Sequence, residues 1–232
     1  MHSWIAVVAV ASPVAQAVSV GGDVTLTTDY IYRGISESDG RGAGQLDLHA
    51  TTLGGSFIGA FASTLGEVRG RGPDYELEAY VGHRFDLSPA WSTTVTAVEY
   101  FYLHGNVPFS NDYQELSATL AYLDRWSLSL AASPNTVRYE IPYRLGRYAT
   151  FIADVSGQLP IAGRLFATGG IGYYGLSGPE GSGYAYGNAG LAFEYRAWRI
   201  DAAYYVVQRH AQELFPYGRA VDRLAATLSW HF

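Results

Sequence analysis

The chain of 232 residues is 48% hydrophobic and 15% aromatic but only 16% charged, against about 25% charged in an ordinary soluble domain, so little of its surface is built for water. No apolar run approaches the roughly 20 residues of a spanning helix, which excludes helical membrane spans, and the absence of cysteine excludes a disulfide framework or a thiolate metal site. A net charge of −6 with dispersed arginines argues against nucleic acid as a partner.

Residues 1–17, "MHSWIAVVAVASPVAQA", carry no charged side chain, a short apolar stretch from Ile5 to Ala11, and then Ala15-Gln16-Ala17. A short apolar stretch ending at A-x-A reads as a secretory signal peptide, although the usual basic start is missing. The mature chain then begins near Val18 and forms one domain, 18–232.

From there the sequence is a succession of alternating stretches rich in Thr, Val, Tyr and Phe, broken by Gly, Pro, Asn, Asp and Ser. The period-2 pattern predicts twelve strands, near 22–33, 43–52, 56–64, 74–85, 90–102, 112–122, 125–133, 147–157, 164–174, 185–195, 198–207 and 220–232. Connections alternate short and long. "LGGS", "DLSP", "LDR", "LPIAGR" and "RA" are tight, whereas those around 34–43, 65–73, 103–111, 134–146, 175–184 and 208–219 are longer. An even number of strands with short turns at one end and long loops at the other is the signature of an all-β fold, a closed antiparallel transmembrane β-barrel of the outer-membrane type with both termini periplasmic.

Within strands the faces separate. Tyr75, Leu77, Ala79 and Val81 alternate with Glu76, Glu78 and Tyr80, and Trp198, Ile200, Ala202 and Tyr204 alternate with Arg199, Asp201 and Ala203. Alternation alone does not say which face is inward. A water-facing exterior with so few charges would be anomalous, whereas an enclosed polar lumen accounts for them. Trp91, Trp126, Trp198 and Trp230 fall at strand ends on the short-turn side; Tyr30, Tyr32, Tyr75, Tyr100, Tyr102, Tyr113, Tyr148, Tyr173 and Tyr186 fall on the long-loop side. Two aromatic levels are expected where a barrel crosses the two lipid interfaces.

The most distinctive stretch is "TTDYIYRGISESDG", Thr27 to Gly40. Asp29, Tyr30, Arg33, Gly34, Ser36, Ser38 and Asp39 together resemble the opening motif T-x-D-Y-x-x-R-G-x-S of a proteobacterial outer-membrane family of the Gcw_chp type. The resemblance runs from about Gly22 to Phe232 and implies a barrel with no assigned activity. Members often carry Pro after the S-D-G turn, where this chain has "RGAGQ". On an extended first strand Asp29 and Arg33 share one parity and point into the lumen, where Glu76, Glu78, Glu115 or Arg223 are available partners. These pairs either line a constriction or merely fix register in a filled barrel, and both readings stay open here.

Lumen-parity candidates further along are Asp154, Glu194, Arg199 and Asp201. With Asp29, Asp47, Glu76, Glu78 and Glu115 against Arg33, Arg84, Arg196, Arg199 and Arg223, acids exceed bases, which predicts a weak cation preference in an open channel. No G-x-S-x-G or H-E-x-x-H occurs, and the histidines lie in no nucleophile context, so neither enzyme activity, cofactor nor metal is expected. Loop arginines, among them Arg41, Arg69, Arg71, Arg138, Arg144, Arg147, Arg209 and Arg219, suit contact with outer-membrane lipid and lipopolysaccharide.

The expected function is thus a narrow porin-like channel for small polar or charged solutes. The alternative is a non-conducting structural or binding barrel filled by side chains and loop 34–43, and a lipid hydrolase comes third. In the last stretch, "RLAATLSWHF", Trp230 and Phe232 end an alternating strand and resemble the signal read by the barrel-assembly machinery. Deleting Phe232 is expected to lower the heat-modifiable, folded fraction in the outer membrane, and normal assembly of the shortened chain would refute that role.

Overall fold

The computed structural model describes residues 18–67, 73–103, 111–140, 144–177, 183–215 and 218–232. The segment read as a signal peptide lies outside the described residues. The elements in chain order are β1 (Val18–Thr27), β2 (Ile31–Tyr32), β3 (Ile35–Ser36), β4 (Ala43–Thr52), β5 (Ser56–Glu67), β6 (Pro73–Asp86), β7 (Trp91–Leu103), β8 (Tyr113–Tyr122), β9 (Trp126–Glu140), β10 (Arg144–Ala162), β11 (Leu165–Leu176), β12 (Tyr184–Tyr195), β13 (Trp198–Val207), α1 (Ala211–Leu214) and β14 (Arg223–His231). All but β2, β3 and α1 form one closed barrel in the order β1-β14-β13-β12-β11-β10-β9-β8-β7-β6-β5-β4, with β4 returning to β1. The twelve wall strands are antiparallel, each paired with its sequence neighbour.

Closure is made by β1 and β14, which pair from Asp23↔His231 to Thr27↔Thr227. Beyond the strand end, Gly22 and Phe232 exchange two backbone hydrogen bonds of 3.1 and 3.0 Å, and on the other side Thr28 N–H donates to the Ala226 carbonyl at 2.9 Å. The seam therefore leaves no unpaired edge, which a hydrocarbon environment would penalise by several kcal/mol per group.

The apolar parity faces outward around the whole ring. Leu26, Leu48, Ile58, Val81, Leu116 and Val155 are exposed, as are Ile171 at 66% and Leu224 at 70%. Such a surface is stable only against another apolar medium, because each of these side chains forgoes the burial free energy of roughly 1.5–3 kcal/mol that a soluble fold would claim. At the short-turn end Trp91, Tyr122, Trp126, Trp198, Trp230 and Phe232 are exposed on the same outer face. Several touch, with Trp91–Tyr122 ring centroids 4.7 Å apart and Trp230–Phe232 5.0 Å.

Three sequence expectations change. The first strand ends at Thr27 rather than at residue 33, and the last begins at Arg223 rather than at 220. β9 and β10 run on through most of the segment expected to be a loop, because a bulge between Tyr148 and Thr150 absorbs Pro134, which cannot donate to a regular ladder. The tyrosines of the long-loop end do not form one outer belt. Tyr75 and Tyr173 are exposed on the outside, but Tyr100 and Tyr113 are buried inside and stack at 4.4 Å. The bore at that end is filled: Ile35, Ala131, Ile152, Tyr174, Leu176, Tyr184, Ala211 and Ala220 make one buried apolar cluster.

An outward arginine at Ile171, midway along β11, is expected to cost about 2–4 kcal/mol in urea unfolding from phospholipid vesicles, whereas Ser129→Asn on the lumen face should cost well under half of that.

Candidate functional site: a plug across the bore

The segment that leaves the wall after Thr27 folds back into the barrel. Two consecutive residues with positive φ, Arg33 at 50° and Gly34 at 79°, turn β2 into β3, with Ile31 opposite Ser36 and Tyr32 opposite Ile35. Two positive φ angles in a two-residue loop are the geometry of a tight type I′ hairpin, and Gly at the second position relieves its strain. A Cβ on Gly34 would also come within 2.7 Å of the Tyr186 side chain, so the turn is pressed against β12. The result is a short inward hairpin in which Gly34, Ile35 and Ser36 are buried and Ile31, Tyr32 and Arg33 partly so, flanked by the buried side chains of Asp29 and Ser38.

Asp29 organises it. Its carboxylate accepts from the Ser36 hydroxyl at 2.6 Å, the Ser38 hydroxyl at 2.9 Å and Arg223 Nη1 at 2.5 Å. Tyr30 N–H donates to the Ser38 hydroxyl at 2.9 Å, and Gly40 N–H to the Ser36 hydroxyl at 2.8 Å. The hydroxyls thus relay the acid to backbone groups, so that the segment's own polar atoms are satisfied inside the barrel. At the hairpin tip Arg33 makes a bidentate pair with Glu115 at 2.8 and 2.7 Å, both side chains nearly buried. Its guanidinium also lies over the rings of Tyr32 and Tyr174, 4.5 and 5.6 Å from their centroids.

The anchors stand on opposite sides of the ring. β14, which carries Arg223, and β8, which carries Glu115, are six strands apart in a ring of twelve. β5 and β11 are likewise six apart. From these, Phe61 packs on Tyr30 at 6.3 Å and Tyr174 lies under Arg33. Tyr32 adds a hydroxyl–hydroxyl contact of 3.0 Å with Tyr100 of β7. Residues 28–42 therefore cross the whole bore.

A clasp from the loop before β14 completes the closure. Arg219 Nε donates to the Ser36 carbonyl at 2.8 Å, and its terminal nitrogen pairs with Glu37. Burial pushes the Glu37 carboxyl above the ordinary carboxylate range, and the Arg219 charge pulls it back. Asp39, with φ of 55°, lies 3.7 Å from both Arg41 and Arg219.

The other lumen residues fall into two groups. Glu76 is buried beside the plug and accepts from the Tyr102 hydroxyl at 2.9 Å, and Glu78 follows it on the same face of β6. Asp154, Glu194, Arg199 and Asp201 are not joined to the plug. Asp154 accepts from the Tyr186 hydroxyl, while Arg199 bridges Glu194 at 2.5 Å and Asp201 at 2.9 and 2.8 Å near the short turns. Of the loop arginines, Arg219 turns inward and Arg147 donates to the carbonyls of Asp112 and Asn135. Arg69 and Arg71 lie outside the described residues, as do the side chains of Arg138 and Arg144.

The pattern of the family described as "Bacterial protein of unknown function (Gcw_chp)" matches residues 11–231. The chain belongs to the Gcw_chp family. Among solved structures, this Gcw_chp barrel resembles the NanC porin, with a TM-score of 0.59 at 12% identity over 90% of this chain and 97% of that one. It also resembles the KdgM porin, with a TM-score of 0.55 at 11% identity over 91% and 99%. At such identities the likeness is one of fold. No curated protein sequence matches the chain.

Removing one partner of a buried pair leaves the other charge unsolvated, so Asp29→Ala or Glu115→Ala in the Gcw_chp barrel is expected to lower unfolding stability by about 3–5 kcal/mol. The joint replacement Arg33→Met with Glu115→Leu is expected to cost under about 1 kcal/mol, and a double-mutant cycle in urea separates the two outcomes.

Proposed function

We propose that this protein is an outer-membrane barrel of porin-like architecture, closed at rest by residues 28–42, and that small polar or charged solutes pass only when the plug withdraws. The observation that carries the reading is the anchoring of the plug on diametrically opposite strands, Arg223 of β14 and Glu115 of β8. Twelve strands lie between about eight-stranded barrels, filled by side chains, and the roughly 16-stranded porins that hold water. A barrel of this size has room for a channel, and one in-folded segment is enough to block it.

Placement in the outer membrane is supported by the outward apolar band, the aromatic girdle and the likeness to the NanC and KdgM porins. The short turns then face the periplasm and the plugged mouth faces outward. A passive role suits a lumen in which carboxylates are held by arginines, tyrosines and hydroxyls rather than aimed at a nucleophile.

The cluster around Ile35 favours a second reading, a permanently filled barrel that binds or braces without conducting, because apolar packing holds the plug in addition to the ion pairs. Planar-bilayer recording separates the two. Wild-type protein is expected to be nearly silent, and the Asp29→Ala, Arg33→Ala double variant to show discrete conductance steps. Steady large currents from the wild type would remove the plug as a closure. Silence from a double variant that still folds, shown by heat-modifiable migration, would leave the filled barrel.

A further inference from the structure

On the outer face at the short-turn end, two arginines share one tyrosine ring. Arg164 lies in the two-residue turn Gly163-Arg164, bounded by the pair Ala162↔Leu165, and Arg196 in the turn Arg196-Ala197, bounded by Tyr195↔Trp198. Gly163 and Arg196 have positive φ, 55° and 56°, as tight hairpin turns require, so both side chains start from a fixed backbone. The two turns touch, with Glu194 N–H donating to the Arg164 carbonyl at 3.0 Å. The guanidinium carbons of Arg164 and Arg196 stand 4.6 and 5.3 Å from the centroid of the Tyr195 ring, where the ring's electron-rich face attracts both cations.

Neither charge is neutralised by the protein. Arg84 is held by Asp86 and Asp124, and Arg199 by Glu194 and Asp201. Arg164 and Arg196 are exposed and have no ion pair among the described residues. Glu194, next to Tyr195 in the chain, is engaged by Arg199 in the lumen. Two like charges against one ring repel each other, and an anion placed between them relieves that repulsion.

The surroundings identify the source of the anion. Tyr195 is exposed on the outer face and begins an aromatic row that runs through Trp198 and Trp230 to Phe232, with Trp198 and Trp230 ring centroids 6.3 Å apart. Such rings mark the level where lipid meets water. Next to them on the same face, Phe193 and Ile200 stand opposite each other in register, both exposed. A ligand seated here carries its negative charge at the arginines and an apolar body along Phe193 and Ile200, which is the build of a phospholipid and not of a free phosphate. The planar guanidinium fork suits two phosphate oxygens. With no carboxylate free at the patch, the ammonium of a zwitterionic headgroup finds no partner, so a headgroup of net negative charge is favoured.

We propose that Arg164, Arg196 and Tyr195 form a binding site for the phosphodiester of an anionic glycerophospholipid, whose acyl chains lie along Phe193 and Ile200. The inference rests on the outer-membrane placement proposed above, in which the short turns reach the periplasmic leaflet, and it is independent of gating by the plug.

The test offers the folded full-length barrel, in detergent micelles, phosphatidylglycerol and phosphatidylcholine with the same acyl chains, and reads the retained lipid by native mass spectrometry. An arginine close to an anionic headgroup is worth about fivefold in affinity, so the wild type should prefer phosphatidylglycerol by roughly twentyfold. Arg164→Gln and Arg196→Gln should each lower that preference about fivefold, and the double variant should retain the two lipids nearly alike. Tyr195→Leu, which keeps both charges but not the ring that aligns them, should lower it about two- to fivefold. Arg125→Gln removes an exposed arginine from a different short turn and should leave the preference unchanged. Glycerol 3-phosphate, which has the charge without the chains, should not displace the lipid at equal concentration. Equal retention of the two lipids by the wild type would overturn the proposal, as would a double variant of normal heat-modifiable migration that keeps the preference. So would an effect of Arg125→Gln as large as that of Arg164→Gln, or displacement by glycerol 3-phosphate. A barrel that selects the anionic lipid but never conducts loses the gating reading alone, and one that gates but takes both lipids alike loses this inference alone.

Discussion

Everything in this structure depends on the pairing of β1 with β14. A strand surrounded by hydrocarbon has no solvent to accept from its N–H groups or donate to its carbonyls, so each edge must be taken by another strand. Once the ring closes, the inside and outside of the sheet become different media. One parity of every strand faces lipid and becomes apolar, and the other faces an enclosed space where charges survive only if they find each other. The scarcity of charge in the composition and the abundance of paired charge in the lumen are two results of the same closure.

Inside, the two ends of the bore solve the problem of buried polarity differently. At the long-loop end the chain itself fills the space. Asp29 draws in two hydroxyls and Arg223, Arg33 reaches Glu115, and Ile35 brings an apolar side chain into a cluster that would suit a soluble core. At the short-turn end none of the described residues folds into the bore, and small hydroxyl side chains and the charges around Arg199 line an open space.

Much of this was legible in the residues because a barrel wall has a period of two and few other demands. Strand number, the alternation of tight and long connections, the outward apolar parity and the tryptophans at the short turns all follow from local pattern. The plug was legible only in part: loop 34–43 could be read as one filler of the lumen, but residues 28–33 read as the end of the first strand. Asp29 continues the inward parity of Asp23, Thr25 and Thr27, so an extended strand and an inward hairpin place it on the same side, and only a long-range contact with Arg223 distinguishes them. Arg33-Gly34 did carry a local signal for a two-residue turn, but with only Ile31-Tyr32 and Ile35-Ser36 on either side the flanking strands are too short to show a period. The inward tyrosines sit at the level of an aromatic belt, but the alternation already placed them: Tyr113 shares the parity of Glu115 and Tyr100 lies opposite Glu78, so both point into the lumen, where Tyr100 meets Tyr32 of the plug. The extra length of β9 and β10 was hidden by Pro134, whose cost to a ladder vanishes at a bulge.

The position of Arg223 sets the order in which the molecule can be put together. Its partner Asp29 is 194 residues earlier in the chain, and Arg223 is the first residue of the strand that seals the ring. Until that strand docks beside β1, the plug lacks the cation that stabilises its central carboxylate, and long-range contacts of this kind form late because the intervening chain must first be ordered. Sealing the wall and seating the plug therefore become a single late event in biogenesis, and a chain that reaches the membrane incomplete at its far end can neither close its sheet nor obstruct its own bore.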